Sequence, residues 1–133
     1  MKQIHNYSIN TFGGGAKPNE LLIEYDGSYD FEIQLRIDLD NRLWLDHYKS
    51  GEESGMILKE LIHVIKQLIK LNCINNSTKF HLVAMDLNYD NGLDNLVRYY
   101  DRIGFWFDSC LNSTDENTLS MMTTISHFID TNI

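Results

Sequence analysis

The sequence predicts an α+β domain, because strand patterns of period two fill its first half and helical patterns appear only later. Three strand-like segments follow one another within residues 21–48, and turn residues separate them. Two amphipathic helices come next, one beginning at Gly55 and one ending at Gly104, with an apolar strand between them. A chain of 133 residues with one such core is predicted to form a single domain over residues 1–133.

The first three strands are predicted to form an antiparallel meander. Residues 21–25 end at the turn 26–28, and residues 31–39 then alternate strictly between apolar and polar side chains. The pair Asp40-Asn41 makes a tight turn into the third strand, residues 43–48. This alternation predicts a sheet with one buried face and one face toward solvent.

The second half of the chain adds helices and further strands. A helix is predicted from Gly55, because apolar residues recur there at spacings of three and four. Residues 80–85 are almost continuously apolar, which is typical of a strand covered on both faces. The second helix ends at Gly104, a residue type common where a helix closes in a left-handed conformation. The last two strands are predicted at 105–107 and 119–125.

Charge and composition narrow the class of partner. The net charge of −8 disfavours nucleic acid, because phosphate binding needs clustered Lys and Arg, and the eleven present are scattered among nineteen acids. The same acidity favours a basic partner. No run approaches eighteen apolar residues and the N-terminus is polar, so neither a membrane span nor a signal peptide is predicted. The Asn- and Ile-rich composition is typical of AT-rich genomes, viral ones included, and the predicted location is the cytoplasm, the host's if the chain is viral.

No metal site is predicted. The segment from Asp86 to Gly92 alternates acids and amides as a calcium loop does, but Gly92 comes one residue late and Val97 occupies the position of the bidentate Glu. The five histidines are dispersed and the two cysteines form no CxxC, so no zinc spacing results.

The segment that ends the second helix resembles a known family. Leu96, the pair Tyr99-Tyr100 and the pair Gly104-Phe105 match the last core helix of the GNAT superfamily of acyl-CoA-dependent N-acyltransferases. The predicted order of three strands, helix, strand, helix and two strands is similar to that family's core over about residues 20–126. The resemblance implies a GNAT-like mixed, mostly antiparallel sheet with two main helices packed on it. The family places a strand and two helices before the meander, so this chain looks like an N-terminally shortened member.

The resemblance implies acetyl-CoA as co-substrate. In the family, backbone amides of the loop after the third meander strand, at a helix N-terminus, hold the pyrophosphate of acyl-CoA, because those amides lack partners within the helix. The cofactor-binding residues implied are Tyr48, Lys49, Ser50, Gly51, Ser54, Gly55, Met56, Asn88 and Asn91. With Gly55 as the second small residue of the loop, Glu53 replaces the first glycine, and Glu52 and Glu53 set two negative charges beside the diphosphate. These acids are expected to weaken binding.

Two residues are predicted to be catalytic. Tyr100 lies four positions before Gly104, where the resemblance places a general acid, although a buried aromatic packing on the helix would look the same in sequence. His47 is the candidate base, because histidine accepts a proton near neutral pH. Strict alternation along this strand would put His47 on the face of Leu45 and Asp46 on the opposite one, so only one of the two could face the site.

Two functions follow from these observations. The first is an acyl-CoA-dependent N-acetyltransferase that acts on an amine acceptor, a basic amine or a peptide. The alternative is a non-catalytic GNAT-like binding or assembly module, which Glu53 and the missing acceptor helices favour. Neither the acceptor nor the oligomeric state is indicated by the sequence.

Overall fold

The structure is a computed structural model that describes residues 4–12, 20–49, 54–85, 92–108 and 118–133. Its elements are β1 (Tyr7–Phe12), β2 (Glu20–Tyr25), β3 (Glu32–Ile37), β4 (Leu43–Lys49), α1 (Ser54–Lys70), β5 (Lys79–Met85), α2 (Gly92–Arg102), β6 (Trp106–Phe107), β7 (Thr118–Thr124) and α3 (Ile125–Thr131). The described residues therefore form an α+β fold, which is the predicted class, with seven strands and three helices where six strands and two helices were predicted.

All seven strands belong to one mixed sheet, in the order β1-β2-β3-β4-β5-β7-β6. Strands β2, β3 and β4 form the predicted meander, β1 extends it at one edge, and consecutive strands pair antiparallel. Strand β5 lies parallel to β4, because α1 carries the chain back across the sheet before β5 begins. Strand β7 pairs antiparallel with both β5 and β6.

One face of the sheet, here called the helix face, holds the core. Ile23, Leu35, Leu45 and Leu82 share this face through their cross-strand register, and each is at most 5% exposed. Helix α1 buries its own apolar stripe, which consists of Ile57, Leu61, Val64, Ile65 and Leu68. The Tyr7 hydroxyl of β1 donates a hydrogen bond to the backbone carbonyl of Glu60 at 3.2 Å, which fixes α1 over this face. Each fully buried Leu or Ile contributes about 1.5–3 kcal/mol of transfer free energy.

Three phenylalanines join the C-terminal elements to the helix face. The ring of Phe80 on β5 lies 5.0 Å from that of Phe105, which follows α2, and 5.3 Å from that of Phe128 on α3. Phe105 and Phe128 are themselves 5.8 Å apart. Such edge and tilted ring pairs add about 0.5–1.5 kcal/mol each to their burial. Helices α2 and α3 therefore pack against the same strand.

Helix α2 ends at the predicted glycine. Gly104 has φ of 113°, and the amide of Phe105 donates to the Tyr100 carbonyl at 2.9 Å while the Gly104 amide donates to Asp101 at 3.1 Å. This pair of bonds is a Schellman motif, which satisfies carbonyls that the helix leaves unpaired. Asn72 ends α1 in the same way, with φ of 60°.

Some boundaries differ from the sequence predictions. Strand β3 ends at Ile37 rather than at residue 39, because the Asp38 carboxylate accepts from the amides of Asp40 and Arg42 and turns the chain. Strand β1 and helix α3 were not predicted, so the structure has two more elements than the sequence analysis expects. No helix among the described residues has the length and apolar character needed to cross a membrane.

Candidate functional site

A cleft lies where β4 and β5 separate. The two strands pair at Leu43 with Phe80, Trp44 with His81 and Leu45 with Leu82, and the described pairing ends there. Beyond this point a cleft of about 980 Å³ opens between the strands. Its lining includes residues 44–49 of β4, Val83 and Met85 of β5, and Leu96 and Tyr100 of α2. Its size falls in the range of small-molecule sites.

A β-bulge in β4 accounts for the separation. Leu35 of β3 pairs with Leu45, yet Gln34 pairs with His47, so Asp46 has no partner in the ladder. A bulge bends its strand and increases the local twist. Because the parallel pairing stops at Leu45, the residue before the bulge, we attribute the divergence of β4 from β5 to Asp46.

The bulge also corrects the predicted alternation. His47 pairs with Gln34, on the face that also carries Trp44 and Asp46, and not on the face of Leu45. Tyr48 pairs with Ile33 and so returns to the helix face. The prediction that Asp46 and His47 point to opposite faces is therefore wrong, because an extra residue shifts the register by one. The face opposite the helices is called the open face below.

The cleft opens on both faces of the sheet. Tyr48 and Tyr100 line it from the helix face, whereas His47, Val83 and Met85 line it from the open face. His47 is exposed and Tyr100 is only 8% exposed. A reactant reaching the cleft from one face can therefore meet a reactant reaching it from the other.

Two tyrosines that line the cleft, Tyr48 and Tyr100, pack against Tyr99 of α2. The hydroxyls of Tyr48 and Tyr99 are 2.6 Å apart and share a hydrogen bond, which ties the end of β4 to α2. The Tyr100 ring lies 5.5 Å from that of Tyr99 and 6.2 Å from that of Tyr48. Burial, with the neighbouring Tyr99, raises the pKa of Tyr100 to about 12. Burial and the bond to Tyr99 raise the pKa of Tyr48 as well. These phenols are therefore protonated at neutral pH and can donate hydrogen bonds.

Four described charged residues line the open-face side of the cleft. Arg36 and Asp46 form an ion pair, whereas Glu32 and Lys49, which are opposite each other in the ladder, do not. Arg36 Nε lies 2.8 Å from Asp46 Oδ2 and its Nη1 lies 3.5 Å from Glu20 Oε2. The same guanidinium covers the Trp44 ring at 5.2 Å. Of the described residues that line the cleft, Lys49 is the one Lys or Arg outside an ion pair. It is the available cation for an anionic ligand.

The predicted site residues fall into three groups. Tyr100, His47, Tyr48 and Lys49 all line the cleft. Ser54, Gly55 and Met56 form the first turn of α1. Apart from its own helix backbone and chain neighbours, a Cβ at Gly55 would meet no atom of the described residues within 4 Å. Ser50, Gly51, Asn88 and Asn91 lie outside the described residues, as do Glu52, Glu53 and all of the calcium-like segment except its final Gly92.

One polar cluster escaped the sequence analysis. His81 is 4% exposed and its ring stacks on Trp44 at 4.8 Å, while its Nδ1 lies 3.5 Å from Oδ2 of buried Asp108. That distance is too long for a well-formed hydrogen bond. The alternation of 43–45 and 80–85 places Trp44 and His81 on one face, but only the parallel register makes them neighbours. Within the described residues, no group of His, Cys, Asp or Glu could hold a metal ion.

The sequence matches no protein-family model. A search of curated proteins likewise finds no matching relative.

Proposed function

We propose that this protein is an acyl-CoA-dependent N-acetyltransferase with a GNAT-like fold that acts on an amine acceptor. The observation that supports it best is the cleft between the diverging strands β4 and β5, which is open to both faces of the sheet and has His47 on one side and Tyr100 on the other. Those are the two residues that the resemblance and the chemistry of amine acylation select.

The topology supports the same proposal. The predicted order of meander, helix, strand, helix and two strands is present, and β1 supplies a strand ahead of the meander, as the resemblance expects. Only residues 13–19 separate β1 from β2, which is too short a segment for two helices. The acceptor side of the site is then more open than the resemblance implies.

The cleft suits the acyl arm of acetyl-CoA. Its apolar lining includes Leu45, Val83 and Leu96, which can contact a flexible thioester arm. Its volume is in the range of pockets that hold drug-sized ligands. The open space at Gly55 lets a ligand approach the backbone at the start of α1. Lys49 ends β4 and lines the cleft, and α1 begins at Ser54. A cation in the cleft favours the diphosphate of the ligand.

The reaction needs a base for the amine and a donor for the departing sulfur. His47 takes a proton from the amine, whose nitrogen attacks the thioester carbonyl carbon, so that an N–C bond forms and the C–S bond breaks. The Tyr100 hydroxyl donates a hydrogen bond to the departing sulfur. Because an ordinary thiol has a pKa of about 8.5 and that of Tyr100 is about 12, the thiolate does not keep the proton. Tyr100 therefore stabilises the developing charge, and solvent completes the protonation.

Calorimetric titration with acetyl-CoA tests the proposal. We expect binding in the micromolar to millimolar range and, at a hundred times the dissociation constant, about 2.7 kcal/mol of added stability in thermal unfolding. ADP is the matched control, because it lacks the arm that the cleft is expected to hold, and it should bind at least tenfold more weakly. Equal affinity for the two ligands, or no acetyl-CoA binding at millimolar concentration, would contradict the proposal.

A non-catalytic module of the same fold is the second candidate. Packing alone accounts for Tyr100, since its ring contacts Tyr48, Tyr99 and Phe105. A protein that binds acetyl-CoA yet transfers no acetyl group to small amines or to lysine peptides would have this function. The transfer assay, run with the same protein that is used for calorimetry, separates the two candidates.

A further inference from the structure

The open face of the sheet has an apolar half. Across β4, β5, β7 and β6, the register aligns Trp44, His81, Met122 and Trp106 in one row. Val83, Met85 and Trp106 are 45%, 48% and 41% exposed. No described helix covers Val83 or Met85, because α1 and α2 lie on the helix face. Val83 and Met85 are neighbours on this face of β5, whereas Trp106 lies two strands away and His81 of the same row is only 4% exposed. Exposed apolar side chains grouped on one face mark an interaction site.

The other half of the same face is acidic. Strands β2 and β3 present Glu20, Glu24 and Glu32 there, and the bulge residue Asp46 adds a fourth carboxylate. Arg36 and Lys49 are the cations of this half among the described residues, so negative charge is in excess. The whole chain has a net charge of −8, which reinforces the negative potential.

We infer that the open face docks the acceptor of the proposed acetyl transfer, and that this acceptor is a peptide segment with basic and apolar residues around its reactive amine. The inference rests on the proposed function for the transfer itself. The basic residues lie over the acidic half, the apolar residues lie over Val83, Met85 and Trp106, and the amine enters the cleft beside His47.

The size of the surface selects a peptide rather than a small amine. Strands in a sheet are about 4.8 Å apart, so β2 and β7 are separated by about 19 Å across the sheet. An extended chain rises about 3.3 Å per residue, so six or seven residues reach from Glu24 to Met122. A small amine contacts one half of the face at a time. A second copy of this chain fits poorly, because it brings the same excess of acid to an acidic surface.

Intrinsic fluorescence provides a direct measurement, because both tryptophans of the chain, Trp44 and Trp106, belong to this face. The probe is a seven-residue peptide without Trp that has Lys residues in one half, Leu residues in the other half and a free Lys amine between them. We expect saturable change of the tryptophan emission. Two control peptides replace Lys by Glu or Leu by Ser, and each should bind at least tenfold more weakly. Equal response to the three peptides, or no response, overturns the inference.

Variants locate the binding on the open face. Glu24→Lys, which lies outside the cleft, should lower affinity for the Lys-Leu peptide at least threefold and leave acetyl-CoA binding unchanged. Val83→Ser with Met85→Ser should lower peptide affinity at least tenfold. Leu39→Ser is the matched control, because Leu39 is 54% exposed and follows β3 at the far end of the strand. A loss as large with Leu39→Ser as with the double variant overturns the assignment.

The acetyl-CoA measurements keep this inference distinct from the proposed function. If the protein binds acetyl-CoA and acetylates free amines but does not prefer the Lys-Leu peptide, the acceptor assignment is wrong and the proposed function stands. If the protein binds the peptide but not acetyl-CoA, the proposed transferase function is wrong, and so is the role of the peptide as acceptor. The open face is then a docking surface only. Sedimentation of the free protein excludes a second copy as the occupant if it stays monomeric, and a dimer that competes with the peptide overturns the inference.

Discussion

Tyr100 meets a packing requirement and a chemical one with different parts of its side chain. The Tyr100 ring packs with the rings of Tyr99, Tyr48 and Phe105, and Tyr100 also lines the cleft. Among the described residues, the structure shows no hydrogen bond to its hydroxyl, whereas those of Tyr48 and Tyr99 bond to each other. The ring thus serves the fold, and the hydroxyl is available to a ligand.

Tyr100→Phe separates these roles. If the hydroxyl stabilises the departing sulfur, we expect the turnover rate to fall by roughly 10²-fold, while acetyl-CoA affinity and the melting temperature stay close to wild type. Tyr99→Phe is the matched control. It removes the bond to Tyr48, so it should cost about 1 kcal/mol of stability with a smaller effect on rate. A Tyr100→Phe variant with full activity would remove Tyr100 from the mechanism.

His81 makes the stability of the fold sensitive to acid. Burial lowers the pKa of this imidazole, Arg42 acts in the same direction, and Asp108 and Asp38 oppose them. In the unfolded chain histidine binds a proton below about pH 6.5, whereas folded His81 resists protonation. The free energy of unfolding therefore decreases as pH falls below 6.5 toward the lowered pKa.

Replacing His81 tests this linkage. The free energy of unfolding of the wild type, measured in urea, should decrease from pH 7.5 to pH 5.5. His81→Phe keeps an aromatic ring against Trp44 and should make that decrease smaller. His63→Gln is the control, because His63 is exposed on α1 and should leave the pH dependence unchanged. Identical slopes for wild type and His81→Phe would show that His81 does not titrate as described.

At the scale of elements, the bulge in β4 determines the cleft. Asp46 has two separable contributions, since its backbone adds a residue to the strand and its side chain bonds Arg36. The bulge bends β4 away from β5, and the ion pair is partly exposed and is worth about 1 kcal/mol or less.

Deleting Asp46 and replacing it have different expected outcomes. The deletion makes the β3–β4 ladder regular without changing the face of His47 or Tyr48, so the protein should fold while the cleft narrows. We expect acetyl-CoA affinity to fall at least tenfold. Asp46→Ala keeps the extra residue and should bind acetyl-CoA nearly as the wild type does. Circular dichroism verifies that both variants fold, and equal affinities for the two would show that the bulge does not shape the site.

Patterns within one element predicted most of the fold, and contacts between elements account for what was missed. The helices α1 and α2 and strands β2 to β5 follow from periodicity, and Gly104 closes α2 where its residue type indicates. Strand β1 is as long as β2, but it mixes Ser8, Asn10 and Thr11 with its apolar residues and is stabilised by pairing with β2. Helix α3 starts directly after β7 with no turn residue, and its start depends on the Thr124 side chain, which accepts from the His127 amide.

Several residues that the sequence selected line the cleft, whereas the geometry of the cleft was not predictable. His47, Tyr48 and Tyr100 follow from residue type and resemblance, and all three line the cleft. The bulge depends on how β4 pairs with β3, and a strictly alternating sequence contains no mark of an inserted residue. The contact between Trp44 and His81 depends on the parallel register of β4 and β5, which no local pattern specifies.

At the scale of the whole molecule, the net negative charge opposes association of molecules through the open face. The chain is strongly acidic at neutral pH, and its isoelectric point is about 4.9. Near that pH the repulsion between molecules disappears while Val83 and Met85 stay exposed.

We therefore expect light scattering to show reversible self-association near pH 4.9 and little at pH 7.5. Val83→Lys should reduce this association when the wild type and the variant are each measured at the same pH interval from their own isoelectric points. Leu39→Lys changes the charge equally on an exposed residue away from the open face and should have a smaller effect. Equal effects of the two variants would place the association elsewhere.

The parallel pair of β4 and β5 also matters while the chain is still on the ribosome. Strands β1 to β4 each pair with their predecessor, so residues 7–49 can assemble as they emerge. Strand β5 is complete only at Met85, about thirty-six residues after Lys49, which takes about 2–7 s of synthesis. For those seconds β4 is an unpaired edge with Leu43 and Leu45 uncovered by β5, where another nascent chain or a chaperone can bind. The strand edge that borders the cleft in the finished protein is the last part of the meander to find its partner.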